Sequence, residues 1–229
     1  MKRILSSICL SLLYLSSCLN AEVQNVDELK QHVFKVLPSL HGWCSKEKAV
    51  NFIDLVIEVD PEVCVEIGVF GGSSLFPVAS ALKYLGHGIV IGIDPWDKLE
   101  SLKNFDPLKD EEHINWWSKV NFDRIYYAYL NVLKKHGLED FVLTEKKTSK
   151  AAVKEISSID VLYIDGDHSE EGIANDVALY LPKVRGGGYI WLNDALSEHA
   201  QMGIDLLLEQ CEMVKLIDSG NCVLFKKTR

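Results

Sequence analysis

Val65-Glu66-Ile67-Gly68-Val69-Phe70-Gly71-Gly72-Ser73-Ser74, followed after a helix-length interval by Ile91-Gly92-Ile93-Asp94-Pro95-Trp96, is the stretch that decides the fold. An apolar strand ends in an acid and a glycine-rich turn, and a second apolar strand ends in another acid. Parallel α/β sheets build their ligand pockets from strand ends of this kind. Outward from there, short apolar strands alternate with amphipathic helices. Strands are expected at 63–67, 89–93, 141–144, 161–164 and 189–192, with helices at 73–84, 120–136, 150–156, 170–181 and 197–210. The tail differs: 213–217, the turn Asp218-Ser219-Gly220-Asn221 and 222–225 read as an antiparallel hairpin. The expectation is an α/β fold, a Rossmann-like, doubly wound, mostly parallel seven-stranded sheet with a C-terminal antiparallel β-hairpin.

Residues 22–58 read as a helical segment, with Val26, Leu29, Val33 and Leu37, then Phe52, Leu55 and Val56, at helical intervals, and residues 59–229 as the sheet domain. Residues 1–21 look like a leader: Lys2-Arg3 precede an apolar run from Ile4 to Leu15 that is short for a membrane span. Leu15-Ser16-Ser17-Cys18 resembles a lipobox, which would make the chain a lipoprotein anchored at Cys18. Cleavage of a signal peptide after Ala21 and an uncleaved N-terminus are the competing readings. The formal charge of −9 argues against nucleic acid as a partner, because phosphate binding needs a basic face. Any membrane contact is expected through the leader alone, and self-association is left open. Of six cysteines, Cys64 and Cys222 sit in apolar runs as small hydrophobes, and none has zinc-site spacing.

The first turn separates cofactor classes. A dinucleotide fingerprint counted from Gly68 needs glycine at 70 and 73, where Phe70 and Ser73 stand, and there is no phosphate-loop motif either. Without a pyrophosphate cradle, the pocket suits an adenosine cofactor lacking that group. Glycines here would let the backbone approach a ligand, and Ser73 is placed to cap the following helix. Glu-x-Gly-x-x-Gly-Gly-Ser with Ile-Asp-Pro-Trp resembles the class I S-adenosylmethionine-dependent methyltransferases over residues 60–226. The resemblance implies that Asp94 binds both ribose hydroxyls. It also implies that Gly68 and Gly71 lie beneath the methionine part, that Gly72 and Ser73 of the same turn bind the cofactor, and that Glu66 lies near its ammonium group. Thr148 and Ser149 would flank the adenine. Trp96, next to the ribose acid, is expected to touch ligand.

A second constellation, Tyr163-Ile164-Asp165-Gly166-Asp167-His168-Ser169, follows the fourth strand, and Asn193-Asp194 follows the fifth. Asp165, Asn193 and Asp194 could offer hard oxygens to Mg²⁺. The same residues resemble a methyltransferase branch that includes macrolide-sugar O-methyltransferases and cephalosporin-hydroxylase-like proteins. That resemblance makes Asp165 and the acidic pair metal ligands and His168 the general base, with Asn193 standing where the branch commonly has Glu or Asp. The competing reading has Asp165 and Asp167 capping the helix near Ser169. The expected activity is methyl transfer from S-adenosylmethionine to a hydroxyl of a small-molecule acceptor, with Mg²⁺ assistance. The aromatic residues of His113-Ile114-Asn115-Trp116-Trp117 and Tyr126-Tyr127-Ala128-Tyr129 read either as a substrate lid or as core filling beneath the long 95–118 connection. Export conflicts with a cofactor made in the cytoplasm. A non-catalytic envelope-associated binding domain and a hydroxylase-like metal enzyme of the same branch therefore stay open.

Overall fold

The computed structural model describes residues 25–104, 106–109 and 111–229, so the expected leader, with Cys18, lies outside the described residues. Two helices open this part of the chain, α1 (Val26–Val36) and α2 (Lys46–Val59). Each starts on a side-chain cap: Asn25 accepts the Glu28 amide and Ser45 the Lys48 amide, at 3.0 and 3.1 Å. Helix α2 stops where Asp60 turns left-handed (φ 50°) before Pro61, which cannot continue a helix.

Alternation follows: β1 (Val63–Ile67), α3 (Leu75–Leu85), β2 (Ile89–Ile93), α4 (Lys98–Leu102), α5 (Glu111–Trp117), α6 (Phe122–His136), β3 (Val142–Glu145), α7 (Ser149–Ala152), β4 (Ile159–Ile164), α8 (Glu170–Tyr180), β5 (Val184–Leu192), α9 (Gln201–Leu208), β6 (Cys211–Ile217) and β7 (Cys222–Lys227). The long connection after β2 thus carries two short helices of its own. The seven strands form one sheet in the order β3-β2-β1-β4-β5-β7-β6. Strands β1 to β5 are parallel, and β7 runs antiparallel between β5 and β6. The expected hairpin is present, with its second strand inserted toward the middle rather than laid on the edge. The chain winds one way from β1 to β2 and β3, then returns to β4 on the other side. The β1–β4 boundary is therefore the switch point at which such sheets open a crevice.

Strand alternation divides the apolar residues between two layers. Cys64, Val161 and Tyr163 face a core built with α1, α2, α3 and α6, while Val65, Leu162 and Ile164 face one built with α8 and α9. The N-terminal helices share the first core, through Leu29, Val33, Phe52 and Ile53.

Two local expectations are corrected. Ser73 does not cap α3: the N-cap position is Ser74, in helical geometry, and neither serine supplies a side-chain cap there. The Ser74 hydroxyl donates instead to Glu66 Oε1 at 2.5 Å, because a buried carboxylate takes the nearest donor. The fifth strand begins at Val184, not near Tyr189, so Gly186-Gly187-Gly188 lie inside it.

Candidate active site

Gly68, Asp94, Asp165 and Asn193 are the first residues past β1, β2, β4 and β5. Each is pinned by its own backbone amide to the neighbouring strand: Gly68 N to Ile93 O (2.9 Å), Asp94 N to Glu145 O (3.2 Å), Asp165 N to Ile67 O (2.9 Å) and Asn193 N to Ile164 O (3.0 Å). One rim of a rigid sheet therefore fixes all four positions. They line a cavity of about 1500 Å³.

Asp94 organises the left half of this rim. Its Oδ2 accepts the Phe70 amide at 2.8 Å and its Oδ1 the Trp96 amide at 2.7 Å. Burial pushes its carboxyl pKa up, and the backbone donors of Phe70, Trp96 and Val69 pull it back part of the way. A carboxylate has about four acceptor sites, so these backbone donors still leave capacity for a hydroxyl donor from the cavity. Gly68 (φ 88°) has a different reason to be glycine than ligand approach. A Cβ there would overlap the Asp165 carbonyl, so its absence is what lets β1 and β4 end side by side. A Cβ on Gly71 would meet His41, and one on Gly72 (φ 79°) would meet the Tyr129 ring. The glycine-rich turn is packed against protein on those sides.

The right half holds the charge cluster. His168 Nδ1 lies 3.1 Å from Asp194 Oδ2. Burial alone would lower the His168 pKa, but the Asp194 hydrogen bond and the charges of Asp165 and Asp194 outweigh it, and the net shift is upward. Asp194 moves the opposite way, chiefly through its hydrogen bond to His168. Burial pushes the Asp165 carboxyl up to about 7, against the opposing pull of His168. Asn193 Nδ2 donates to Asp165 Oδ1 at 2.8 Å, while its Oδ1 accepts from Lys48 Nζ at 2.9 Å and Cys222 Sγ at 3.0 Å.

The expected Mg²⁺ set of Asp165, Asn193 and Asp194 is therefore not assembled, since the amide oxygen is turned away and both its lone pairs are engaged. Asp165, His168 and Asp194 do bring one ligand atom each within 4.8 Å of one another. That trio offers a nitrogen already bonded to one of the carboxylates, whereas Mg²⁺ demands a near-octahedral shell of oxygens. The residues as arranged do not fit Mg²⁺.

Residues 65–195 match the family model described as a methyltransferase domain, more than half of the chain and the whole rim just described. The chain belongs to this methyltransferase family. An uncharacterized protein, R132, of Acanthamoeba polyphaga mimivirus is 28% identical over 174 residues, and the match spans 75% of this chain and 66% of that protein's length. Among solved structures the chain resembles the O-methyltransferase NovP, at 18% identity and TM-score 0.65 over 82% of this chain and 84% of that one. It also resembles the O-methyltransferase TomG from Streptomyces achromogenes, solved with SAM, at 16% identity and TM-score 0.60 over 95% of both chains. The O-methyltransferase from Bacillus cereus, in complex with SAH, aligns at 15% identity and TM-score 0.59 over 94% of this chain and 96% of that one. At these identities the structural matches establish the shared fold.

Of the residues singled out in the sequence, the fold places Gly68, Ser73, Asp94, Thr148, Ser149, Asp165, His168, Asn193 and Asp194 on the cavity wall. Glu66, Gly71, Gly72 and Trp96 stand behind that wall. Glu66 is 1% exposed, and one of its oxygens has no hydrogen-bond partner. Trp96 is a core residue: its indole donates to Phe70 O at 2.7 Å and stacks on Tyr129, because a left-handed turn (φ 43°) folds it inward. Ser169, not Asp165 or Asp167, caps α8, by accepting the Gly172 amide at 3.0 Å.

The lid and core-filling readings of the aromatic residues divide. Tyr129 is buried, whereas Trp116 is 43% exposed at the cavity mouth, against Phe70 and Trp43. Trp117 lies over His168, ring centroids 6.3 Å apart. Sequence reasoning missed Trp43, 65% exposed, and the buried Lys48, both from the N-terminal segment. Only Lys48 left a trace: it falls on the apolar stripe of α2, one turn before Phe52.

Proposed function

We propose that this domain transfers a methyl group from S-adenosylmethionine to a hydroxyl oxygen of a small-molecule acceptor. The observation that carries this reading is the pairing, on one rim, of a diol-competent carboxylate at Asp94 with an acid-oriented histidine at His168. The cavity suits the cofactor. Asp94 retains acceptor capacity for a ribose diol, and Thr148 and Ser149 line the wall beyond β3, where a base attached to that ribose would extend. The occurrence of SAM with TomG and of SAH with the Bacillus cereus enzyme, on the same fold, supports the assignment. S-adenosylmethionine, when bound, supplies an electrophilic methyl group on a sulfonium.

The chain's own residues do the rest. Trp43 and Trp116 offer an exposed aromatic wall against which an acceptor can lie. His168 takes the proton of the acceptor hydroxyl as the oxygen becomes nucleophilic, and Asp194 holds the ring and stabilises the resulting imidazolium. Trp117 borders the imidazole, with ring centroids 6.3 Å apart.

The test is calorimetry of the purified chain with S-adenosylmethionine and S-adenosylhomocysteine, followed by label transfer from methyl-tritiated cofactor to a panel of phenols and sugars. Binding of both ligands and labelling of a hydroxyl are expected. No heat with either ligand would end the transferase reading and leave a non-catalytic binding domain.

A further inference from the structure

Two lysines are buried among the described residues, Lys48 and Lys227. The Lys227 ammonium is held by the backbone carbonyls of Leu181 and Val184, both at 2.9 Å, and has a purely structural setting. Lys48 is different. It reaches from α2 to the cavity rim, donates to Asn193 Oδ1 at 2.9 Å and lies 3.5 Å from Asp218 Oδ2.

The cation fixes the amide. Were Asn193 turned the other way, its NH₂ would face the Lys48 ammonium and its oxygen would face the Asp165 carboxylate, so both contacts would become repulsive. In the observed orientation the positive charge is relayed through one amide to Asp165. Two carboxylates sharing a site, Asp165 and Asp194, repel unless cations compensate them. Here Lys48 does so on one side and His168, when protonated, on the other. A divalent ion entering the cluster would meet an ammonium close by and an amide whose oxygen is already taken.

We propose that Lys48 stands in for a divalent cation: acting as a positioning residue through Asn193, it compensates the Asp165–Asp194 pair and closes the site to Mg²⁺. Resting on the methyl-transfer reading above, this further means that turnover proceeds without a metal ion. The Lys48–Asn193 pair acts as a unit, so restoring a metal site requires changing both residues.

The experiment titrates chelator-treated full-length protein calorimetrically with MgCl₂ and MnCl₂ alone. It compares the wild type with Asn193→Asp and with the double variant Lys48→Met/Asn193→Asp, using S-adenosylhomocysteine binding and circular dichroism to establish that each is folded. The wild type is expected to bind neither ion at millimolar concentration, and the double variant to bind Mn²⁺ at least ~10-fold more tightly. Wild-type turnover is expected to be unchanged by chelator. Micromolar Mg²⁺ affinity in the wild type, or activity lost to chelator and restored by Mg²⁺, would overturn the proposal. So would a folded double variant binding metal no better than the wild type. If the double variant does not fold, the wild-type titration and chelator assay still decide. Failure of S-adenosylhomocysteine to bind the wild type would sink the transferase reading, and the metal titration would still report on Lys48.

Discussion

Asp94 and Phe70 are joined across the ends of two adjacent strands, the carboxylate accepting the backbone amide at 2.8 Å. Phe70 (φ 48°) and Trp96 (φ 43°) are both left-handed residues other than glycine, a conformation that costs about 1–2 kcal/mol at each. Asp94 bonds both amides, and the Trp96 indole closes the ring by donating to Phe70 O. One acid thus holds the two strained turns that shape this side of the cavity.

Asp94→Asn replaces one carboxylate oxygen with an NH₂ group facing a backbone donor. About 2 kcal/mol of stability should be lost, and affinity for S-adenosylhomocysteine should fall ~30-fold. Thermal melts and calorimetry read the two effects separately, and undiminished affinity would remove Asp94 from the ligand site.

Gly68→Ala and Gly86→Ala form an informative pair. Both positions have φ above 80°, yet a Cβ at Gly86 meets nothing within 4 Å while one at Gly68 overlaps the Asp165 backbone. The Gly86 variant should lose about 1 kcal/mol, as a left-handed helix cap does. The Gly68 variant should fail to accumulate as soluble protein, because two β-strand ends would have to separate. Comparable melting temperatures for the two variants would contradict this account of the β1–β4 contact.

The pKa of His168 lies above the ordinary histidine value, with Asp194 as the main raising influence. A base must be deprotonated, so kcat/KM should rise with pH and level off only above about pH 6.5. Asp194→Asn removes the charge that favours the imidazolium. Its inflection should therefore move to lower pH, with the plateau reduced ~10–100-fold. A pH–rate profile that keeps the wild-type inflection in this variant would exclude the dyad.

Glu66 makes a stability prediction independent of catalysis. Burial is the main cause lifting its carboxyl from an ordinary 4.5 to about 8, with Ser74 opposing. Because the folded state binds this proton more tightly, the contribution is fully present below about pH 4.5 and is lost as pH rises through about 8. Melting temperature should drop by ~5–10 °C between pH 6 and pH 9, more steeply than in Glu66→Gln, where the group cannot ionise. Parallel melting curves for the two proteins across that range would refute it.

The sheet, its strand boundaries within a few residues apart from the start of β5, and the rim positions Gly68, Asp94, Asp165 and Asn193 were legible because strand ends are marked locally. An apolar run of five stops at an acid, an amide or a glycine, and the helices between show their period. Ser73 was misread as a cap because the competing event, a buried Glu66 capturing the neighbouring Ser74 hydroxyl, depends on β1 and α3 being packed together. Trp96 was misread for a related reason. Its place beside Asp94 in sequence suggests ligand contact, but the sign of one φ angle sends the ring into the core.

By itself the sequence determined the alternating α/β architecture and which side chains arrive at the carboxyl rim of the sheet, because hydrophobic periodicity and turn chemistry are local properties. Only the tertiary structure decided what those side chains do to one another. Lys48 lies 145 residues from Asn193 along the chain, and the direction in which that amide points is set by an ammonium that nothing near Asn193 in sequence could announce.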